Sequence, residues 1–146
     1  MNKHRLYPYI FLLLPYVVVM ILMAICFRHI NIVTYLLLMI CPIFTSSMLF
    51  AVATKKYSEK VSSLLSSLVA VTIYLVFYMV VLFFMKQTNT MEFIYQNSKG
   101  LFSEGFSIGS EMQFTPGDAI LPILLTFITH YGCMAIAHKK PKNEEQ

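Results

Sequence analysis

Residues Val61–Met85 read VSSLLSSLVAVTIYLVFYMVVLFFM, a stretch without a single Lys, Arg, Asp or Glu. About 20 predominantly apolar residues let a helix cross a hydrocarbon layer about 30 Å thick. Three more runs of the same kind accompany it: Tyr7–Phe27, Ile30–Thr54 and Asp118–His138, none with an acid or a basic Lys or Arg in its interior. A soluble core could not absorb four such runs, because only three short polar segments would be left to face water. The expected fold is therefore an all-α membrane protein, an antiparallel four-helix transmembrane bundle with one long extracytoplasmic loop. It forms a single domain over residues 1–146, with spans at about 7–27, 30–54, 61–85 and 118–138, an outer loop at 86–117 and a cytoplasmic tail at 139–146.

Composition agrees. Of 146 residues, 58% are hydrophobic and 12% charged, about half the charge of a soluble domain. In a soluble chain a formal charge of +4 would suggest acidic or nucleic-acid partners. Here the bases act as topology signals and no nucleic-acid partner is expected. Eight of the eleven bases fall in alternate segments, namely Lys3, Arg5, Lys55, Lys56, Lys60, Lys139, Lys140 and Lys142. Arg28, Lys86 and Lys99 occupy the other set. Because basic loops stay in the cytoplasm, both termini are expected inside a cell (plasma) membrane. The first run is expected to be a retained span, being longer than a signal-peptide core and lacking a small-x-small cleavage site. Met23-Ala24-Ile25-Cys26 touches the lipoprotein pattern but places Ile25, not a small residue, before the cysteine.

Cys26, Cys41 and Cys133 are odd in number and far apart. Their spacing supports neither a disulfide framework nor zinc ligation, so they read as small polarizable packing residues. No metal and no cofactor is expected.

The connections are unequal. Arg28-His29 is a minimal hairpin that makes the first two helices antiparallel neighbours, and Lys55–Lys60 is a short polar turn. Lys86–Gly117 is the one sizeable extramembrane segment, with four of the five glycines and the aromatics Phe93, Tyr95, Phe102, Phe106 and Phe114. So many aromatics suit either a cap anchored in the headgroup layer or a recognition surface, for which Phe102, Phe106 and Phe114 are the candidate partner-binding residues. Phe106, Ile108, Met112 and Phe114 alternate with period two, a strand signal. The segment closes on Thr115-Pro116-Gly117-Asp118, where Thr as cap, Pro at the first helical position and an early Asp mark a helix start.

At about 1.5 Å of rise per residue, His130 lies roughly 12 Å from the cytoplasmic end of the fourth span. Tyr16, Thr45, Ser46, Ser66 and Ser67 fall near the same depth, so all four helices bring polar or small groups to one layer of the inner half. Such groups seek one another in hydrocarbon, and the layer is expected to face the bundle interior. In one reading it is structural: Ser63, Ser67, Ala70 and Thr129, Cys133, Ala137 form small-residue stripes, and His130 hydrogen-bonds between helices. In the other, His130 is a relay or ligand group, and Pro15 and Pro42 kink their helices to open a cavity.

Enzyme signatures are absent: there is no Gly-x-Ser-x-Gly, no His-Glu-x-x-His and no phosphate-binding Gly-rich loop. The membrane-embedded Glu on which small four-helix exporters depend is also missing. The stretch Ile40-Cys-Pro-Ile-Phe-Thr-Ser-Ser-Met-Leu-Phe50 is followed by a polar turn, a third span, a long polar loop and a Gly-Asp-led fourth span. This layout resembles the Msa-type proteins, small four-helix membrane proteins of Gram-positive bacteria named as modulators of SarA expression. The resemblance implies an accessory membrane protein that influences gene expression, and it carries over no catalytic residue. The sequence thus points to a non-enzymatic accessory protein, regulatory or immunity-type, acting by protein–protein recognition. Its partners are the lipid bilayer and another membrane or extracytoplasmic protein, with a homo-oligomer left open. The alternative is a small transporter or channel using the polar layer around His130.

Overall fold

The computed structural model describes residues 7–56, 61–101 and 116–138. Four long helices carry the chain: α1 (Tyr7–Cys26), α2 (Ile32–Lys56), α3 (Ser63–Thr88) and α5 (Ile120–Ala137), with a short α4 (Thr90–Ser98) between the last two. The long four are apolar and long enough to cross a membrane, and the protein is a multi-pass membrane bundle. Their limits lie within three residues of the runs seen in the sequence. Pro15 and Pro42 sit inside α1 and α2, which continue through them. Membrane helices accommodate proline because neighbouring groups resatisfy the freed carbonyls.

One tight turn, Phe27–His29, reverses the chain between α1 and α2, and these two pack along each other as the minimal hairpin requires. α2 then packs on α5, and α5 on α3, whereas α3 approaches α1 only lightly. The order around the bundle is α1, α2, α5, α3. Although α2 and α3 are consecutive, they sit across the bundle from one another. The end of α1, the start of α2, the end of α3 and the start of α5 meet at one end, where Met23, Ile30, Met85 and Ala119 share a core with Ile94 of α4. Consecutive long helices therefore run antiparallel, while α2 and α5, neighbours in the bundle, run parallel. A second, smaller core of Leu12, Phe50, Ala51, Ala70 and Met134 fills the opposite end.

The outward surface is apolar along the spans. Ile10, Leu14, Val17, Val52, Val76, Phe83, Ile128 and Ile136 are all exposed. A contiguous apolar belt of this extent fits acyl chains and would be an aggregation liability in water.

The expected loop 86–117 is the main departure from the sequence reading. α3 runs on to Thr88, and Asn89 takes the left-handed conformation (φ 51°) that ends it, its N–H bonding to the Met85 carbonyl. Asn adopts that conformation more readily than other residues with a Cβ. α4 follows at once, and Thr90, Ile94 and Ser98, four residues apart, form its buried face. Of the loop aromatics, expected to serve as headgroup anchors or a recognition surface, Phe93 packs edge-on against Phe27, with ring centroids 5.9 Å apart. The strand signal at 106–114 lies outside the described residues. At the other edge of the segment, Pro116–Ala119 forms a 3-10 turn that leads into α5.

α4 also completes α2. The first amides of a helix have no partner within it. Asn31 Oδ1 accepts from Thr34 N at 2.8 Å, and the Ser98 hydroxyl of α4 accepts from Ile32 N at 2.8 Å. Ser98 passes its own proton to Ile94 O at 2.6 Å, and Asn97 Nδ2 donates to the carbonyls of Arg28 and Ile30 at 2.9 and 3.1 Å. Ser98 is fully buried, so Ser98→Ala leaves the Ile32 amide without an acceptor. The expected cost is about 1–3 kcal/mol, read as a lower unfolding temperature in detergent and faster amide exchange across α4 and the first turn of α2.

Candidate functional site: a polar layer inside the bundle

Tyr16, Ser46, Ser66, Ser67 and His130 all point into the bundle, the least buried of them 3% exposed. Thr45 does not. On α2 the inward positions are Pro42, Ile43, Ser46, Ser47 and Phe50, a helical stripe that leaves Thr45 on the exposed side with its hydroxyl donating to Cys41 O at 2.9 Å. The sequence reading grouped residues by depth, and depth alone does not fix the face.

Within the layer most hydroxyls turn back on their own helices. Ser47 donates to Ile43 O at 2.7 Å, Ser67 to Ser63 O at 2.7 Å, Ser66 to Ser63 O at 3.1 Å and Thr126 to Pro122 O at 2.7 Å. This satisfies a hydroxyl in an apolar setting without any neighbour. A single helix-to-helix contact joins the candidate residues: the Ser46 hydroxyl shares its one proton between Ile43 O at 3.2 Å and the Tyr16 oxygen at 3.4 Å.

His130 differs from the expectation that it hydrogen-bonds between helices. It is fully buried, and neither Nδ1 nor Nε2 has a partner. The nearby hydroxyls already donate to backbone carbonyls, so none offers the imidazole a proton. Its contact is instead aromatic: the Phe50 ring of α2 lies with its centroid 5.0 Å away, tilted by 46°. One turn along α5, the fully buried Met134 brings its sulfur to 3.8 Å from the Thr54 hydroxyl. The small-residue stripes fall where α3 and α5 pack, with Ser67 and Ala70 buried and Cys133 half-buried.

A second polar group escaped the sequence reading. Tyr35, Tyr74 and Tyr78 are buried in the larger core beside Tyr16. The Tyr16 and Tyr74 rings meet edge-on at 6.4 Å, and Tyr74 stacks on Tyr78 at 6.3 Å. The Tyr74 and Tyr78 hydroxyls have no hydrogen-bond partner. Asp118, at the head of α5, lies within electrostatic reach of Tyr35 and Tyr78. The available signal was the spacing of Tyr74 and Tyr78, four residues apart on one helix face.

Between α1 and α3, where the helices barely touch, a groove of about 490 Å³ opens sideways toward the lipid face. Leu13, Val17, Met20, Val76, Phe77 and Val80 line it, and neither Pro15 nor Pro42 does. Among the described residues no three His, Cys, Asp or Glu side chains come together, and the three cysteines are free. The candidate loop residues Phe102, Phe106 and Phe114 lie outside the described residues.

Replacing His130 by Leu removes two unpartnered polar atoms and keeps an apolar side chain in the site. Deleting such atoms is neutral or stabilising when the space stays filled. Thermal unfolding in detergent is therefore expected to be level or raised by up to about 2 kcal/mol, and a clear loss would show that the imidazole makes a bond in the membrane. No protein-family model, no curated protein and no solved structure matches this chain.

Proposed function

We propose that this chain is a small non-enzymatic accessory protein of the cell membrane that works by protein–protein recognition, presenting its α4 end to a partner outside the cell. The observation that carries the reading is the pinning of α4. Asn97 and Ser98 hold it to the α1–α2 hairpin over 66 to 69 residues of sequence, and Ile94 is sunk in the core. A helix fixed in this way is a preorganised platform, which lowers the ordering cost of binding. Its rim carries Arg28, His29, Lys86, Glu92, Gln96 and Lys99, all exposed. In the sequence, α4 is followed by the segment that carries Phe102, Phe106 and Phe114. The bases support the orientation, with eight of eleven in the segments at the opposite end, the cytoplasmic side under the positive-inside rule. The layout resembling the Msa-type bacterial proteins points the same way, toward a regulatory accessory role, and an immunity protein that blocks a membrane-active toxin is one form such recognition takes.

A second reading, a small transporter or channel, is favoured by one observation: His130 is an ionisable residue at membrane depth with both nitrogens unpartnered, and such residues mark pathways in transporters. Solute flux in liposomes separates the two readings. Flux abolished by His130→Leu supports transport, and its absence beside a reproducible crosslinked partner supports recognition.

Orientation is tested on a background with all cysteines replaced by Ser. Ser103→Cys is expected to react with an impermeant thiol reagent in intact cells, and Asn143→Cys only after permeabilisation. The reverse pattern would invert the topology. For recognition itself, Phe102, Phe106 and Phe114 replaced together by Ser should abolish partner capture at matched membrane levels, since aromatic anchors dominate interfaces. Replacing Lys99, Glu104 and Glu111 by Ser should have the smaller effect, because rim charges chiefly tune association rates. Full capture by the aromatic triple variant would refute docking through this loop.

A further inference from the structure

Four buried side-chain polar atoms among the described residues have no hydrogen-bond partner, and two of them belong to one residue, His130. A neutral imidazole carries one donor and one lone-pair acceptor, and both are unmatched here. The hydroxyls of the layer do not serve the lone pair. Ser46, Ser47 and Thr54 of α2, Ser66 and Ser67 of α3 and Thr126 of α5 each donate to a carbonyl of their own helix. Four residues on along α5 lies Met134, fully buried on the same face, a spacing that makes two side chains neighbours. Its thioether lies 3.8 Å from the Thr54 hydroxyl of α2, whose proton goes to the Ala51 carbonyl at 2.9 Å. The Phe50 ring of α2 lies 5.0 Å from the imidazole and belongs to the same buried cluster as Met134.

We propose that His130 and Met134 form a binding site for a soft monovalent metal ion, Cu(I). An imidazole nitrogen and a thioether sulfur are neutral, polarizable donors, and sulfur ligands of this kind select Cu(I) over harder ions. Charge decides between monovalent and divalent occupants. No acid lies in the interior of any apolar run, so a divalent ion would bring two uncompensated charges to membrane depth, where each is costly. A structural zinc centre takes four ligands, and no three His, Cys, Asp or Glu residues assemble here. A two-donor site suits Cu(I), which accepts low coordination numbers. The site spacing of His, Cys and acids in the sequence gives no metal signature because the second donor is a thioether.

The inference rests on the geometry around His130 and on neither functional reading above, since it is tested by binding without flux or partner. The chain with Cys26, Cys41 and Cys133 replaced by Ser, purified in detergent, is titrated anaerobically into the coloured Cu(I)–bicinchoninate complex. Loss of colour at one Cu(I) per chain is expected. Met134→Leu and His130→Leu should each weaken binding at least tenfold, the exposed His29→Leu should leave it unchanged, and Zn(II) at equal concentration should not displace the copper. Met134→Leu conserves volume, so lost binding there, with an unchanged gel-filtration profile, cannot be ascribed to unfolding. On the unaltered chain, the copper X-ray absorption edge should show nitrogen together with sulfur in the first shell. No colour loss, equal loss in the His130→Leu/Met134→Leu double variant, displacement by Zn(II), or a first shell of sulfur alone would each overturn the assignment.

Discussion

The constraint on which this structure depends is that hydrocarbon offers no hydrogen bonds, so every polar group at membrane depth must find its partner within the protein. The backbone meets it by forming helices. The side chains meet it by the shortest available route: the hydroxyls of Thr45, Ser47, Ser66, Ser67, Thr72 and Thr126 all bond a carbonyl three or four residues back. The same demand extends to the helix ends. The opening amides of α2 are served by Asn31 from the turn and by Ser98 from a helix 66 residues away. A short amphipathic segment that would be marginal alone thus becomes part of the bundle, because it supplies an acceptor that α2 lacks.

Local satisfaction has a consequence for the groups that cannot reach their own backbone. Imidazole and phenol heads stand too far from the helix axis to bond back, and their neighbours' protons are already committed. This is why, among the described residues, the unpartnered buried atoms concentrate in His130, Tyr74 and Tyr78 although the bundle is rich in serine and threonine. Polar content at a given depth is therefore a poor guide to reactivity. Thr45 and Ser46 are adjacent in sequence and near the same depth, yet Thr45 faces outward while Ser46 bonds Tyr16 across the α1–α2 contact.

The spans were legible because length and absence of charge are decisive for a membrane helix, and the α1–α2 pairing was legible because a two-residue turn permits no other. Other features were not. α4 was hidden because Thr90-Met-Glu-Phe-Ile-Tyr-Gln-Asn-Ser98 is mixed in polarity, and its buried stripe of Thr90, Ile94 and Ser98 contains one apolar residue. The exchange of neighbours that places α2 on α5 rather than on α3 leaves no local trace, since both arrangements use the same short connection. The depth of His130 could be computed from helical rise, but its lack of partners depends on rotamers on three helices.

The two ends of the bundle are built on different physics, and this bears on where function resides. The α4 end is over-determined: a long aliphatic and aromatic core, an edge-on stack of Phe27 with Phe84 and Phe93, and hydrogen bonds between residues 66 to 69 apart in the sequence fix its surface in one arrangement. A surface so fixed is preorganised, which is what the proposed recognition would draw on. The opposite end has a core of five buried residues, beside an imidazole whose bonding capacity is unused. Stability alone would replace His130 with an aliphatic residue, which the space would accept without leaving polar atoms unmet. The imidazole makes no hydrogen bond to the helices around it and packs against Phe50 one turn from a thioether, and it is this unused bonding capacity that the proposed metal site draws on.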